Sequence, residues 1–584
     1  MAEFQNPQQD PGMERRLLLV LALTALVVVL SQVVMKRYFP QPVTPTAPAQ
    51  GQTQVLPPPP PAPASNPPEV RQAKRTAAHA SAVKQANSES ETVVENDLYR
   101  ITFTNRGAQV KSWILKKFKD DQARPLELVN GTTAVKYGYP LSLWTYDEGQ
   151  RNKLNSVLYV PSGSGTLNAP ADVTYEYADQ DLAVRKVFHF DHTYIVHVET
   201  SVSLSGNQIA AYPLWPAGLG DQVTPAGYAS SRVEHQFNST IERLDIKKIS
   251  GGNTLHGPFD WVGVTDQYFA AIFLPEDPQN VAAVTLRNSV DVPKDAKNPQ
   301  DTVKAEVLGV AVGNPRGSTV ERMYVGPKEL RTLEAVPVPT ITGADQDLRA
   351  LVNFGFFGII ARPLFIWLRW TYTYVHNWGW AIVIQTLIIN LALMPLRISS
   401  MKSALKMQRI QPQMNAIKEK YKKYTMRDPR RQEMNTEIGE LMKREGVSPV
   451  GGCLPMVIQM PFLFAYYSML ASALDLRQAS WLWIRDLSSA DPYLILPILI
   501  IITGLATQRM TPQAGMDPSQ QKMMNVMMPV MFGFISYRLA AGLCLYWCEG
   551  SIIAIVQQAI MNRTGLGREM REIALKRARK KEKK

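Results

Sequence analysis

The chain has 584 residues, enough for several domains, and it carries a formal net charge of +13 although only 19% of its residues are charged. The positive excess is concentrated in 397–444 and 563–584, and Lys and Arg beside apolar stretches are typical of cytoplasmic flanks that contact anionic lipid, ribosomal RNA or acidic partners. The three cysteines, Cys453, Cys544 and Cys548, lie in apolar stretches, which excludes a disulfide framework in the large polar region.

The N-terminal region predicts an anchor followed by a linker. Residues 1–16 precede an apolar run at 17–35 that is long for a signal peptide and is followed by no clear small-residue cleavage site, so we interpret it as a retained transmembrane anchor. Residues 36–91 are rich in Pro, Ala, Gln, Ser and Thr, including the prolines at 57–61. This composition cannot bury a core and predicts a disordered linker.

Residues 92–336 consist of short alternating runs of polar and apolar residues, broken by Gly, Pro, Asn and Asp. The runs at 98–103, 183–190 and 194–198 show the period of two that is expected of half-buried strands. The segment therefore predicts one large antiparallel β-sandwich domain.

No motif in this predicted β domain carries chemistry. It contains no zinc-ligand spacing, no phosphate-binding loop and no nucleophile elbow, so we predict neither an enzyme nor a cofactor. His189, His192 and His197 fall close to Asp191, and we interpret them as a strand pair and its turn on the sheet surface. A metal site is the alternative interpretation.

Residues 348–370 are apolar but contain Arg349, Arg362 and Arg369 among Phe and Trp residues. Arginines and aromatic residues mixed at helical spacing predict an amphipathic helix that lies in the membrane interface. A helix that crosses the membrane is the alternative.

Five apolar stretches follow, at 377–396, 453–473, 492–508, 523–537 and 541–561. The third and fourth are short for a span of about 20 residues. The basic segment between the first two stretches and the basic tail at 562–584 are both expected in the cytoplasm. Together with the anchor, this predicts six spans, five of them in a core at 377–561, with both chain ends in the cytoplasm and the β domain on the other side.

The segment 398–446 predicts a cytoplasmic helical hairpin that turns at Asp428 and Pro429. Both helices have an apolar stripe rich in Met, a surface that adapts to varied partners. Packing of the two stripes on each other must explain part of the pattern, and we predict a partner-binding role in addition. The fold class is therefore a multi-domain membrane protein with a helical bundle, an all-β sandwich domain and a helical hairpin.

Six polar side chains of the predicted spans are candidates for one site: Gln385, Thr386, Asn390, Gln459, Thr503 and Gln557. At about 1.5 Å per residue from the cytoplasmic charge, Asn390 lies about 10 Å deep and Gln459, Thr503 and Gln557 about 9 Å deep. Gln385 and Thr386 lie a turn or more deeper. Single amides often join helices, but agreement in depth across four spans favours a shared hydrated cavity open to the cytoplasm.

Two charged residues lie further from the cytoplasmic side. Arg538 is near the outer end of its stretch, and Glu549 is about two turns into the last one. An ionised carboxylate at that depth needs a partner, so we predict an ion pair between Arg538 and Glu549. A snorkelling Arg538 and a proton-relay role for Glu549 are the alternatives.

Several motifs carry a resemblance to a known family. They are Val447–Phe462 within the wider match Asn435–Tyr467, Asn377–Gly379, Leu476–Ala479, Asp491–Tyr493 with Leu496–Pro497, Asp517–Pro518 with Gln520–Met523, Gly542–Leu543 with Leu545–Tyr546, and Asp266–Phe269. In these motifs, which extend over roughly 97–563, the chain resembles the YidC/Oxa family of membrane protein insertases, in the form with a large periplasmic domain.

The resemblance implies insertion and folding of bacterial inner-membrane proteins, as an insertase and chaperone, alone or beside the Sec translocon. The expected partners are nascent membrane proteins, the Sec translocon, the ribosome at the basic hairpin and tail, and anionic phospholipids.

The resemblance also assigns roles to single positions. Thr386 and Gln459 match residues of a hydrophilic groove, and the matches to an apolar slide are Leu454, Met460, Tyr546 and Trp547. The family's groove arginine falls on Asn390, so its positive charge is absent at that position, and Arg538 lies too near the opposite face to replace it.

Two other function classes compete with this interpretation. A secondary transporter or channel would require inverted repeats or several carboxylates in the spans, and the sequence offers only Glu549. A membrane-anchored periplasmic binding protein would leave the basic hairpin unexplained.

Overall fold

The computed structural model of the chain describes residues 83–120, 122–295, 298–340, 345–424, 428–447, 454–510, 518–565, 568–569 and 572. The predicted anchor at 17–35 and most of the predicted linker at 36–91 lie outside these residues. The described residues divide into a β-rich part that ends near 347 and a helical part that follows it.

The β-rich part contains strands β1 to β22 in the described residues. In chain order they are Glu91–Glu95, Tyr99–Thr104, Gln109–Lys119, Pro125–Glu127, Ser142–Trp144, Val160–Pro161, Gly165–Asn168, Ala171–Ala178, Leu182–Phe190, Ile195–Leu204, Asn207–Gln208, Tyr212–Trp215, Arg232–Phe237, Thr240–Asp245, Asn253–His256, Trp261–Thr265, Phe269–Pro275, Ala282–Asp295, Asn298–Gly313, Thr319–Pro327, Pro337–Val338 and Gln346–Asp347. Short helices α1 to α4 interrupt them at Gly131–Tyr137, Glu148–Ser156, Pro225–Ala229 and Leu330–Glu334.

Three sheets share the core of this β-rich part. Their strand orders are β4-β3-β2-β1-β7, β14-β13-β16-β17-β20-β10-β9-β8-β6 and β15-β18-β19-β12-β5. Phe103 of β2 packs on Phe188 of β9 with ring centroids 4.9 Å apart, and Trp113 of β3 lies 6.1 Å from Trp215 of β12. Side chains from all three sheets are therefore buried against one another, in the layered arrangement that the alternating sequence predicts.

The histidines lie on this sheet as predicted. His189 of β9 is the cross-strand partner of His197 of β10, and its ring is hydrogen-bonded to Asp172 over 2.7 Å. No group of three or more potential metal ligands occurs in the described part of the chain.

The helical part contains α5 to α12 in the described residues. They are Gly358–Val375, Trp378–Ala392, Met394–Lys420, Arg430–Arg444, Leu454–Ser472, Ile495–Met510, Pro518–Ser536 and Ala541–Arg563, with short 3-10 turns at Leu348–Leu351 and Leu474–Leu476. The five predicted stretches thus correspond to α6, α9, α10, α11 and α12, and the predicted interfacial helix corresponds to α5 and the turn before it.

Local sequence explains how α6 begins. The Asn377 side chain accepts a hydrogen bond from the Trp380 N–H, which caps the helix. Gly379 faces Trp481, and a Cβ at this position would lie 2.2 Å from that indole, so the close approach of helix and loop requires glycine.

One described helix, Ala541–Arg563, is by itself long and apolar enough to cross a membrane. Trp378–Ala392 and Met394–Lys420 satisfy the same test as a pair bent by 46°. Large apolar side chains of α10 and α11 remain exposed, among them Ile498, Ile502, Val526 and Phe534. This exposure is typical of surfaces that contact lipid or a protein partner.

Helices α7 and α8 form a hairpin. Its interior contains Ile410, Met414, Leu441 and Val447, and Met407, Ile417, Ile438 and Met442 pack against it half-buried. The two Met-rich stripes therefore pack largely on each other, which agrees with the interpretation that mutual packing explains part of the pattern.

The β-rich part contacts the loop between α9 and α10 through polar groups. Arg477 donates to the Lys119 carbonyl over 2.9 Å, and its guanidinium lies over the Tyr268 and Phe269 rings. The Gln478 amide donates to the same carbonyl over 3.0 Å. These contacts fix the loop of the helical part to two edges of the β-rich part.

Candidate functional site

A polar cluster joins α6, α7 and α12. The Arg397 guanidinium donates from Nη2 to Asn390 Oδ1 over 3.0 Å and from Nη1 to Gln557 Oε1 over 2.7 Å. Asn390 and Gln557 are buried, whereas Arg397 is half-buried. We refer to Asn390, Arg397 and Gln557 as the junction cluster.

Backbone contacts orient both amides of the junction cluster. Asn390 Nδ2 donates to the Thr386 carbonyl over 2.9 Å, and Gln557 Nε2 donates to the Asn390 carbonyl over 3.3 Å. Because each NH2 group is used in this way, each amide oxygen is left to accept from Arg397. The cluster therefore brings together two of the predicted site residues, Asn390 and Gln557.

Gln385 lies deeper and joins three helices. It is fully buried, its Nε2 donates to the Leu364 carbonyl of α5 over 2.9 Å, and its Oε1 accepts from the Tyr466 hydroxyl of α9 over 2.6 Å. The Tyr466 ring is stacked on Tyr546 of α12 with centroids 4.1 Å apart. Gln385 thus corresponds to the alternative in which an amide joins helices.

Thr386 and Thr503 make their described hydrogen bonds within their own helices. Thr386 Oγ1 donates to the Ile382 carbonyl and Thr503 Oγ1 to the Leu499 carbonyl, each over 2.7 Å. Both threonines are buried. Because each hydroxyl already donates its proton to a backbone carbonyl of its own helix, neither requires water or a substrate as an acceptor.

Arg538 and Glu549 do not form the predicted ion pair. Arg538 is exposed near the end of α11, while Glu549 lies in α12 beside Thr386, with its Oε2 buried and without a hydrogen-bond partner in the described residues. Since α12 begins at Ala541, Glu549 is about 12 Å along the helix from the turn that carries Arg538. That separation is too large for a direct contact.

The predicted apolar slide is only partly accessible. Met460 of α9 is 37% exposed, Tyr546 is buried against Tyr466, and Trp547 is half-buried with its ring 4.8 Å from Phe532. Leu454 and Gln459 lie in α9, and their side chains are outside the described part of the structure.

Sequence reasoning missed Arg397 and Tyr466. The positive charge of Arg397 assigns it to the basic cytoplasmic segment, but it lies seven residues after Asn390, a spacing of two turns that places residues on one helix face. Tyr466 lies in an apolar stretch, where a buried hydroxyl usually has a hydrogen-bond partner. The seven-residue spacing between Asn390 and Arg397 and the hydroxyl of Tyr466 within an apolar stretch are the sequence signals that point to these two residues.

Comparison with known proteins places this helical arrangement in a family. Residues 370–568 match the family described as 60Kd inner membrane protein, and residues 91–367 match the YidC periplasmic domain. The membrane protein insertase YidC of Syntrophus aciditrophicus is 30% identical over 94% of this chain and 100% of its own length. The chain belongs to the YidC family of membrane protein insertases.

A second YidC insertase, from Geobacter sulfurreducens, is 31% identical over 80% of this chain and 85% of its own length. The crystal structure of an active YidC insertase with its first transmembrane domain resolved is similar at 18% identity, with a TM-score of 0.34, over 83% of this chain and 95% of that one. The two family matches meet within α5: the β-rich part from β1 onward lies in the match to the YidC periplasmic domain, and α6 to α12 lie in the match to the 60Kd inner membrane protein.

Proposed function

We propose that this chain inserts and folds integral membrane proteins, and that polar segments of its substrates enter a groove at the junction cluster. The cluster supports this proposal because it places a cation and two amides against α6 and α12, which are both largely apolar. Polar groups at such a place normally face protein or water, and a passing polar segment can form hydrogen bonds with the same groups. We also assign Gln459 to this groove, together with Thr386 and Thr503, whose hydroxyls donate within their own helices but whose oxygens can still accept a hydrogen bond.

The way out of the groove is apolar. Met460 and the exposed side chains Ile498, Ile502 and Phe534 offer a surface along which an apolar segment can move into lipid. Trp547 is half-buried, with its ring against Phe532 of α11. Tyr546 is covered by Tyr466, so we assign it to the wall of the groove rather than to the exposed slide.

We place the chain in the bacterial inner membrane as a multi-pass protein, with six spans, both ends in the cytoplasm and the β domain in the periplasm. The distribution of Lys and Arg supports this orientation. The basic α7–α8 hairpin and the C-terminal tail then face the ribosome and anionic phospholipids, and the Sec translocon is the expected neighbour for larger substrates. Since no chemical step is involved, the proposed activity is not enzymatic.

Complementation tests the groove. In cells depleted of their own insertase, we expect the full chain to restore insertion of a small two-span protein, Asn390→Leu to impair it, and Asn390→Arg to be tolerated. Neither Leu nor Arg can accept the hydrogen bond that Arg397 donates to Asn390, but Arg keeps a polar group in the groove, at the position where the family's groove arginine falls, whereas Leu does not. Normal insertion by Asn390→Leu would contradict the role of this residue.

Photo-crosslinking in cells provides an independent test. A crosslinker at Asn390 is expected to capture a nascent substrate held at the cytoplasmic side. The same crosslinker at Val320, which is 40% exposed on β20 of the periplasmic domain, is the control and is expected to capture little of it. Equal capture at both positions would argue against a defined groove.

A further inference from the structure

Glu549 of α12 carries a carboxylate that nothing in the described residues neutralises. Its Oε2 is buried without a hydrogen-bond partner, and no cation of the described residues lies within 4.0 Å of the carboxylate. Thr386 of α6 lies beside Glu549, but its hydroxyl proton is already donated to the Ile382 carbonyl. By contrast, the buried carboxylate of Glu234 in β13 lies 3.0 Å from the Arg243 guanidinium, the usual way in which a buried charge is neutralised.

Glu549 lies at the inner end of an open stripe on α12. Three exposed apolar side chains toward the C-terminal end of α12 lie within about 60° of Glu549 around the helix. They are Ile552, Val556 and Ile560, and they are 46%, 52% and 52% exposed. One turn in the other direction, both residues of Leu545–Tyr546 are buried. The open stripe therefore runs for about 16 Å along α12 and ends at the carboxylate.

This position distinguishes Glu549 from Glu321 of β20, whose two carboxylate oxygens also lack partners in the described residues. Glu321 is 1% exposed and enclosed by the β-rich part, so it is closed to a ligand. Glu549 is half-buried and can be reached along the open stripe. It lies about 12 Å from the start of α12 and about 21 Å from its end. A carboxylate so far from both ends of a membrane helix is costly, and such groups normally mark the path of an ion or a polar substrate.

We propose that Glu549 is a specificity-determining residue, which binds the cationic side chain of a Lys or Arg in the substrate segment that crosses the membrane. This inference rests on the proposed insertase function. The open stripe receives an apolar stretch of the substrate, and the carboxylate at its end accepts charge-assisted hydrogen bonds from the ammonium or guanidinium group. A cation in the middle of a bilayer is costly, and pairing with Glu549 offsets part of this cost while the cation passes. Substrates with a basic residue in the translocated segment are therefore the ones that need Glu549.

The test uses three versions of one reporter that differ at a single position of the translocated tail, which carries Lys, Asn or Asp. Insertion is measured by protease accessibility in insertase-depleted cells that express the full chain or a variant. We expect Glu549→Gln to lower insertion of the Lys version by about three- to tenfold, as for the loss of one hydrogen bond within a membrane, and to change the Asn version little. Glu440→Gln, which removes an exposed carboxylate from α8, is the matched control and is expected to leave the ratio of Lys to Asn insertion unchanged.

A charge-reversed variant separates specificity from a folding defect. Glu549→Lys is expected to insert the Asp version better than Glu549→Gln does and the Lys version worse, which a damaged fold cannot produce. Equal losses for the Lys and Asn versions with Glu549→Gln, or no loss for either, would overturn the cation-binding role. The same conclusion follows if the unmodified chain inserts the Asn version but not the Lys version. Failure of the unmodified chain to insert the Asn version would instead overturn the proposed insertase function, and this inference with it.

Discussion

The hydrogen bond between Gln385 and Tyr466 offers a measurable test of how the helical bundle is held together. Gln385→Leu removes the acceptor of the Tyr466 hydroxyl and the donor to the Leu364 carbonyl. Tyr466→Phe removes the same hydroxyl from the other side and keeps the ring that is stacked on Tyr546. The two substitutions therefore isolate one contact in a double-mutant cycle.

The expected size of the effect follows from burial and environment. Gln385 and Tyr466 are both fully buried, and leaving a buried polar group unsatisfied costs about 1–3 kcal/mol in water-soluble proteins. Hydrogen bonds between helices in membranes are weaker, with couplings of about 0.6–1.7 kcal/mol. We therefore expect each single variant to lower the free energy of unfolding by about 1 kcal/mol or more, and the double variant to lose about 0.6–1.7 kcal/mol less than the sum.

The assay is reversible unfolding of the full chain in mixed micelles, followed by tryptophan fluorescence. If the effects of Gln385→Leu and Tyr466→Phe add, the hydrogen bond contributes nothing and the account of Gln385 as a link between helices is refuted. A purely structural link further predicts that Gln385→Leu reduces insertion only in proportion to the loss of folded protein. A larger defect would return Gln385 to the groove.

Three further predictions concern the β domain and its contact with the helices. Burial lowers the pKa of Lys186 to about 7, so above that pH the unfolded chain binds a proton that the folded chain does not. The free energy of unfolding should therefore rise by up to about 1.4 kcal/mol per pH unit from pH 7 upward. Urea unfolding should show this slope in the parent chain and a flatter slope in Lys186→Met. Burial raises the pKa of Glu321, whose two carboxylate oxygens lack partners in the described residues. The unfolded chain therefore loses this proton at a lower pH than the folded chain, and the free energy of unfolding of the parent chain falls as the pH rises. In the same assay, Glu321→Gln should gain stability relative to the parent chain between about pH 5 and 7. Arg477→Ala loses the hydrogen bond to Lys119 and the contact with the Tyr268 ring, worth about 1–3 kcal/mol together, and hydrogen exchange should become faster at the end of β3 but not in α8.

The elements that the sequence predicted best are those with a strong period or a long apolar run. Strands β9 and β10 match the predicted runs at 183–190 and 194–198 to within a residue at their starts, because their inward residues largely alternate with polar ones and leave little freedom of register. The helices of the core coincide with the five apolar stretches because a long apolar run is itself a strong signal in the sequence. Buried exceptions such as Lys186 interrupt the alternation of β9, and the sequence offers no sign that three backbone carbonyls, those of Gly107, Ala108 and Leu141, hold its ammonium group.

Side-chain partners were harder to predict than elements, because depth along a helix does not fix direction around it. Asn390, Thr503 and Gln557 have nearly the same predicted depth, yet Thr503 bonds to its own helix while Asn390 and Gln557 meet at Arg397. The predicted ion pair between Arg538 and Glu549 is wrong for a similar reason. The two residues have opposite charges and are near in sequence, but the rise of α12 separates them.

Arg397 shows why counting charges by segment misleads at the end of a span. The apolar run ends just before it, so the sequence assigns it to the basic cytoplasmic head. The chain, however, bends by 46° between α6 and α7, and the long side chain extends back along the apolar surface to the amides of α6 and α12. A cation can therefore belong to the junction cluster while its backbone belongs to the hairpin. It follows that a substitution at Asn390 and one at Arg397 must not be interpreted separately: each removes a partner of the other, and a double-mutant cycle is needed to separate the loss of their mutual contact from any other effect of either substitution.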